Sequence, residues 1–326
     1  MTRPLEITGL RTTLFTRNGE MKAVDGLSLA VGQGETVALV GESGCGKSLS
    51  ALSVMRLLPN PPARIVGGEV KLNGRDLVVL PEEAMLDIRG KEIGMIFQDP
   101  MSSLNPVATV EKQIVEVLRA HTDLSPAAAR DRARELLELV GMPDAGRRLN
   151  AYPHQLSGGM CQRVMIAMAI ACSPSVLIAD EPTTALDVTV HAQVLALLKK
   201  LQADAGMAMV FITHDLGVVA ETADRVVVMY AGRKVEEAPV DDLFENPLHP
   251  YTAGLIGATP TPGAERAARL ADIPGMVPAL NELPQGCAFA PRCKRAMPEC
   301  TQAVPELKEL APGRLVACFA AEQDAR

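Results

Sequence analysis

Eight consecutive residues, Gly41-Glu42-Ser43-Gly44-Cys45-Gly46-Lys47-Ser48, fit the pattern G-x-x-x-x-G-K-[ST] and follow the apolar run Val37-Ala38-Leu39-Val40. A short apolar run of this kind reads as a buried strand, and a helical pattern begins at Lys47, so the motif has the strand-to-helix setting it needs. The glycines let main-chain N–H groups converge on phosphate oxygens. The helix N-terminus adds positive potential, Lys47 adds a point charge and Ser48 offers a hydroxyl to Mg²⁺. A chance glycine-rich turn would not require the whole match together with that setting. The chain is therefore expected to build an α/β core whose strands end at a nucleotide phosphate.

A second apolar run, Ser175-Val176-Leu177-Ile178-Ala179, stops abruptly at Asp180-Glu181-Pro182. In an open parallel sheet, ligands gather at the carboxyl ends of strands. Asp180 is thus placed to hold a Mg²⁺ shell, usually through water, because Mg²⁺ dehydrates reluctantly. Glu181 is the better placed of the two to orient and deprotonate an attacking water; a solvated acidic turn is the bland alternative. Upstream, Leu156-Ser157-Gly158-Gly159 precedes the helical run Gln162 to Ala171. It reads equally as an ordinary N-cap or as a second outward-facing anion site at a helix N-terminus.

The period of the apolar residues gives the coarse layout. Strands are expected around Ile7 to Phe15, Leu27 to Val31, Thr36 to Val40, Glu69 to Leu72, Ile93 to Phe97, Val176 to Ala179, Met207 to Thr213 and Arg225 to Tyr230. Helices are expected over Lys47 to Leu58, closed by Pro59, and over Val110 to Ala120 and Ser125 to Val140. Ser125-Pro126 is a helix start, and Gly141 with Pro143 is a stop.

The chain has 326 residues, 48% of them hydrophobic, enough for a large core and an appendage. Its net charge of −7 argues against a general nucleic-acid binder. No run approaches the roughly 18 apolar residues of a membrane span, and Met1 to Glu6 lacks a signal core, so a cytosolic protein is expected.

Four of the seven cysteines, Cys287, Cys293, Cys300 and Cys318, lie in a proline-studded tail with spacing C-x₅-C-x₆-C-x₁₇-C. Disulfides are disfavoured in a reducing cytosol. Structural zinc suits four thiolates but usually uses C-x₂₋₄-C knuckles. An iron–sulfur cluster also takes four thiolates and tolerates longer spacings, and unligated thiols remain a third reading. Arg292, Lys294 and Arg295 are expected to favour thiolates here, and Cys45, near a helix N-terminus, is expected to be sensitive to alkylation.

From about Leu5 to its end the chain resembles the ATP-binding subunits of ATP-binding cassette transporters. The Leu156-Ser157-Gly158-Gly159-Met160 segment resembles the family signature, and the following Gln162-Arg163-Val164-Met165-Ile166-Ala167-Met168-Ala169 is typical of the oligopeptide and dipeptide branch, with Cys161 where an arginine is common. Gln98 resembles the Q-loop glutamine, Asp187 the D-loop aspartate and His214 the switch histidine that contacts the γ-phosphate. Aligning Ala23-Val24-Asp25 by analogy puts Asn18 at the place of the adenine-stacking aromatic; Phe15 is the nearest aromatic residue, and a core role for it is equally open. Asn246-Pro247-Leu248-His249-Pro250-Tyr251-Thr252 resembles the extension of the peptide-transporting branch, whose Cys-rich tail is associated with a [4Fe–4S] cluster held here by Cys287, Cys293, Cys300 and Cys318.

The resemblance implies an α/β P-loop NTPase (RecA-like) core with an antiparallel β-subdomain, a helical subdomain and a Cys-rich C-terminal extension. The corresponding domains are residues 1–98 with 172–240, residues 99–171 and residues 241–326. It implies an ATPase that uses ATP and Mg²⁺ to energise uptake of di- or oligopeptides, with nickel, glutathione or another small solute as alternative cargo. The metal would be held by Ser48, Gln98 and Asp180. Gly41, Glu42, Ser43, Gly44, Cys45, Gly46, Lys47, Ser48 and Phe15 of one subunit would face Ser157, Gly158 and Gly159 of another, with Asp187 at the junction and with Glu181, His214 and Gln98 catalytic. The implied partners are a second ATPase subunit, first expected to be a different chain, two transmembrane permease subunits and a periplasmic or extracellular substrate-binding protein. The implied location is peripheral, on the cytoplasmic face of the inner membrane. A DNA-repair or translation cassette ATPase is the rival. However, only 110 positions separate Lys47 from Ser157, without sustained heptads, and the chain carries one cassette.

Overall fold

The computed structural model describes residues 3–17, 19–183, 188–259 and 273–325. It divides into two compact units: Met1–Leu5 with Val31–Glu35 and Leu72–Phe211, and Glu6–Ala30 with Thr36–Lys71 and Ile212–Arg326.

In the first unit, strands Ile93–Ile96 and Val176–Asp180 run parallel, with Ile93 opposite Val176 and Ile96 opposite Ala179, and Ala208–Ile212 is the next neighbour of Val176–Asp180. Every residue of these strands is buried, as expected for parallel strands covered on both faces. Helices Val110–His121, Pro126–Leu139 and Gly158–Ala169 pack on one another. Val110, Gln113, Ile114 and Leu118 form the buried stripe of the first, at helical spacing. Buried Gln113 is satisfied by the main chain, donating to the carbonyls of Asn105 (3.2 Å) and Ala108 (3.0 Å). The side chains of Thr109, Ser125 and Ser157 each accept a main-chain N–H from the first turn of their helices, and Gly141 takes a left-handed φ of 70° just past Val140.

The second unit has two sheets. Gly19–Val31, Leu5–Thr16 and Ala63–Leu72 lie side by side in that order. The other runs Lys308–Ala311, Arg314–Val316, Arg233–Pro239, Arg225–Tyr230, Thr36–Val40. Thr36–Val40 is parallel to Arg225–Tyr230, with Val37 opposite Arg225 and Val40 opposite Val228; the remaining pairs are antiparallel. Two strands of the C-terminal extension thus continue the sheet that carries the phosphate loop. Tyr251 and Phe289 of the extension share a core with Val40, Val228 and Tyr230.

Several elements differ from the expected bounds, three of them as follows. The first helix is Lys47–Met55, ended before the prolines by Arg56 in a left-handed conformation (φ 52°). Strands Gly19–Val31 and Ala63–Leu72 begin earlier than their apolar pattern does, because their leading halves are largely solvent-facing and ordered by pairing rather than by burial.

Candidate functional site

Strand Thr36–Val40 delivers Gly41 at its carboxyl end, and two glycines of the loop have conformations no other residue could take. At Gly41 (φ 148°) a Cβ would lie 2.3 Å from the Met229 carbonyl oxygen and 2.8 Å from Cys45 Sγ. At Gly46 (φ 104°) it would lie 2.4 Å from the Ala23 oxygen. Gly46 opens helix Lys47–Met55 without a side-chain cap. Lys47 is buried; its Nζ donates to the oxygens of Gly41 (2.7 Å) and Glu42 (3.2 Å) and contacts Cys45 Sγ at 3.6 Å. Cys45 is fully buried, and desolvation raises its thiol pKa despite the adjacent ammonium. This corrects the expectation of a reactive thiol: the helix terminus is present, but the sulfur is shut away from water and reagent.

In the other unit, Asp180 ends its strand 4% exposed, and Glu181 follows with φ 47°, a left-handed conformation uncommon outside glycine and frequent at functional positions. Gln98 Nε2 donates to Glu181 Oε2 at 2.9 Å. The register explains the meeting. Ile96 stands opposite Ala179, so residues two further along each parallel strand emerge together at the carboxyl edge, although 83 positions separate them. Ser157 caps helix Gly158–Ala169, accepting the Met160 N–H at 3.4 Å, and Ser157 and Gly158 are exposed. Gly159 packs against Val190, where a Cβ would come within 2.7 Å of Cγ1. Cys161 is buried, and desolvation raises its pKa.

His214 is exposed just after strand Ala208–Ile212, and Asp215 caps the next helix, accepting the Gly217 N–H at 2.9 Å. Phe15 is 42% exposed, which removes the core reading, and the Arg64 guanidinium lies 5.9 Å from its ring centre. Asp187 and Asn18 lie outside the described residues.

In the extension, the amides of Arg295 and Met297 donate to Cys293 Sγ (3.3 Å) and Cys300 Sγ (3.5 Å), and Cys287 N–H bonds to the Cys300 oxygen at 2.8 Å. Cys287 feels Cys300 and Cys318, Cys293 feels Cys300, and Cys318 feels Cys293 and Cys300, so the four thiols share one neighbourhood. Among the described residues, no three His, Cys, Asp or Glu side chains are grouped to hold a single metal ion.

The surrounding cations do not act as expected. Burial is the largest influence on Cys287, Cys293 and Cys318 and raises all three. Arg292 is committed elsewhere: its NH1 and NH2 grip Glu42 Oε2 (2.7 Å) and Oε1 (3.0 Å). Arg295 lowers the Cys293 pKa only secondarily, its side chain being paired with Asp324 at 2.8 Å. Tyr251, fully buried, accepts the Glu42 N–H at 2.8 Å. In sequence, Tyr251 stands only in a branch motif and Arg292 stands beside the thiols. Contacts spanning 250 and 209 positions leave no spacing signal by which either could be found.

Residues 24–184 match the family model described as ABC transporter, and residues 235–300 match that of the oligopeptide/dipeptide transporter C-terminal region. The chain is 52% identical to a probable peptide ABC transporter ATP-binding protein, y4tR, of Sinorhizobium fredii, over 98% of this chain and 95% of that one. It is 51% identical to the oligopeptide transport ATP-binding protein AppD of Bacillus subtilis (99% and 98% covered) and 49% identical to OppD of Salmonella typhimurium (97% and 93% covered). Among solved structures, the ATP-binding cassette MJ0796, a dimer in a post-hydrolysis state bound to ADP and Pi, is similar with a TM-score of 0.66 and 29% identity, covering 72% of this chain and 98% of that one.

Proposed function

This chain belongs to the ABC transporter family, as an ATPase subunit of its oligopeptide-importing branch, and from that premise we propose how its residues divide the work. The phosphate loop holds the β- and γ-phosphates through its main-chain N–H groups and Lys47. Of the three groups facing the Lys47 ammonium, the thiol of Cys45 is the weakest acceptor, so a phosphate oxygen displaces that contact at least cost. Ser48, Gln98 and Asp180 are the residues that would hold Mg²⁺, which would neutralise phosphate charge. Glu181 takes the proton of the attacking water, Gln98 orients both, and His214 meets the γ-phosphate.

The observation that carries the catalytic roles is the Gln98–Glu181 hydrogen bond, which joins an orienting amide to a carboxylate held in a left-handed conformation. Replacement of Glu181 by Gln tests it. Nucleotide affinity is expected to persist while phosphate release falls to background; undiminished hydrolysis would remove Glu181 from the role.

ATP is completed by the exposed Ser157-Gly158-Gly159 of a second subunit, a reading supported by the exposure of that cap and by the dimeric state of the solved cassette. Asp187 serves the junction, and Phe15, with its exposed ring, stacks on adenine. Membership in the branch carries with it a permease and a substrate-binding protein. We assign the second ATPase to a different chain, and the site of action to the cytoplasmic face of the membrane. Among the described residues, no helix is long and apolar enough to cross one. Within the extension, Cys287, Cys293, Cys300 and Cys318 are assigned to a [4Fe–4S] cluster, which would supply a rigid, redox-active staple to a loop-rich lobe. Iron and sulfide determination on anaerobically purified protein, with Cys300→Ser as comparison, tests that assignment; protein free of both ends it.

A further inference from the structure

Every polar group of Glu42, the residue after the first glycine of the phosphate loop, is engaged. Its N–H donates to Tyr251 Oη at 2.8 Å, its carbonyl accepts from Lys47 Nζ at 3.2 Å, and its carboxylate lies in the fork of Arg292 at 2.7 and 3.0 Å. Two of the three partners come from the C-terminal extension. Arg292 is itself fixed: its Nε donates to the Pro274 oxygen at 2.9 Å, its guanidinium lies about 6 Å from the ring centres of Tyr230 and Phe289, and its side chain is 4% exposed. Tyr251 has its own support, since its N–H donates to His249 Nδ1 at 3.0 Å and the His249 N–H donates to Glu236 Oε2 at 2.9 Å.

We propose that Arg292 and Tyr251 are positioning residues for nucleotide binding, acting on Lys47 through Glu42, so that the thiol-bearing lobe and the phosphate loop are energetically coupled. An ion pair with its guanidinium buried and its carboxylate half-buried is a poor device for stability, because desolvation consumes much of the attraction. A bidentate fork is a good device for orientation, since it fixes the plane and direction of the carboxylate. The Glu42 N–H shares a peptide plane with the Gly41 carbonyl, which accepts from Lys47 at 2.7 Å, so Tyr251 holds that plane while the fork anchors the side chain of the next one, and both carbonyls that aim Lys47 stay in place. Arg292 immediately precedes Cys293, so the path of the thiol segment sets where the fork stands. The proposal rests on Lys47 contacting nucleotide phosphate, and it reaches beyond that contact to a residue 250 positions from the loop.

The test uses the full-length chain, titrated with a fluorescent ATP analogue in Mg²⁺, with thermal melting to confirm folding. Glu42→Gln, which keeps the shape of a partly exposed side chain, and Arg292→Lys, which keeps the charge but not the fork, are each expected to weaken affinity about tenfold. The double variant should be no weaker than the weaker single. The KM for ATP should rise with kcat nearly unchanged. Arg295→Ala, which breaks the exposed pair with Asp324 in the same lobe, should leave affinity unchanged. By reciprocity, Mg-ATP should slow amide exchange across residues 286–302 in the wild type and not in Arg292→Lys. Wild-type affinity in a folded Glu42→Gln or Arg292→Lys, losses that multiply in the double, or an equal loss in Arg295→Ala would each overturn the proposal. Lys47→Ala reports separately on the underlying reading: if it retains affinity, the assignment of the loop fails, whatever the clamp variants do.

Discussion

The chain has two glycine-rich turns that each open a helix, and they are built in opposite ways. In the phosphate loop, Gly41, Cys45, Gly46 and Lys47 are buried, two glycines are sterically obligatory, and the lysine is aimed by the loop's own carbonyls. In the Ser157-Gly158-Gly159 turn, the serine and first glycine are exposed, a Cβ on Gly158 would meet nothing within 4 Å, and the only obligatory approach is that of Gly159 to Val190. A cradle that binds by itself needs enclosure and prior orientation, because the groups converging on phosphate must be held before it arrives. A turn that binds across an interface needs the reverse, a capped helix start left open to a second molecule.

The difference can be broken in order of effect. Glu181→Gln should lower ATP turnover by about 10³-fold with binding retained, measured by phosphate release against nucleotide titration. Lys47→Ala should weaken nucleotide binding by roughly 10- to 100-fold in the chain on its own, because the enclosed cradle loses its charged donor. Gly158→Asp should do neither. Binding by the single chain and its melting temperature should stay near wild type, within about 0.5 kcal/mol for an exposed site, while ATP-dependent association and turnover of the assembled transporter are lost. A drop in single-chain affinity for this variant would erase the contrast between the two turns.

A smaller effect concerns the support behind the phosphate loop. His249 is buried, and desolvation pushes its pKa from 6.5 down to about 3. The unfolded chain therefore binds a proton that the folded one refuses between those values, so stability is complete above pH 6.5 and is lost as the pH falls toward 3. The loss should reach up to about 2 kcal/mol by pH 5. Glu236, whose pKa burial raises, works in the opposite direction, because acid relieves the cost of its buried charge. His249→Asn, which keeps an acceptor for the Tyr251 N–H, should flatten the fall of melting temperature between pH 7 and pH 5. The smallest expected signal is at Cys45: iodoacetamide should leave it unlabelled in the folded chain and label it only on denaturation.

The phosphate loop was legible because its information is local. Positive φ at glycine and a strand-to-helix junction are properties of a few successive residues, and strand Thr36–Val40 passes through Gly41, Gly44 and Gly46 at positive φ into helix Lys47–Met55. The capping serines at Ser125 and Ser157 were legible for the same reason. The neighbours of Cys45 along the chain suggest an activated thiol, whereas its neighbours in space bury it. Arg292 shows the same divergence: beside Cys293 in sequence it is a charge for thiolates, but in space it belongs to Glu42. The leading halves of Gly19–Val31 and Ala63–Leu72 escaped notice because strand pairing, unlike burial, leaves no apolar signature.

What the sequence determined by itself is the chemistry of each turn: which residues can cradle a phosphate, which carboxylates end a buried strand, and which serine caps a helix. Only the tertiary structure decided which of them act on one another. The parallel register brings Gln98 to Glu181, and the packing of the extension brings Arg292 and Tyr251 to Glu42. The physical reason is that steric and capping preferences are set within a few bonds of a residue. Strand register and buried ion pairing are set by the burial of surfaces that meet only after the chain has folded.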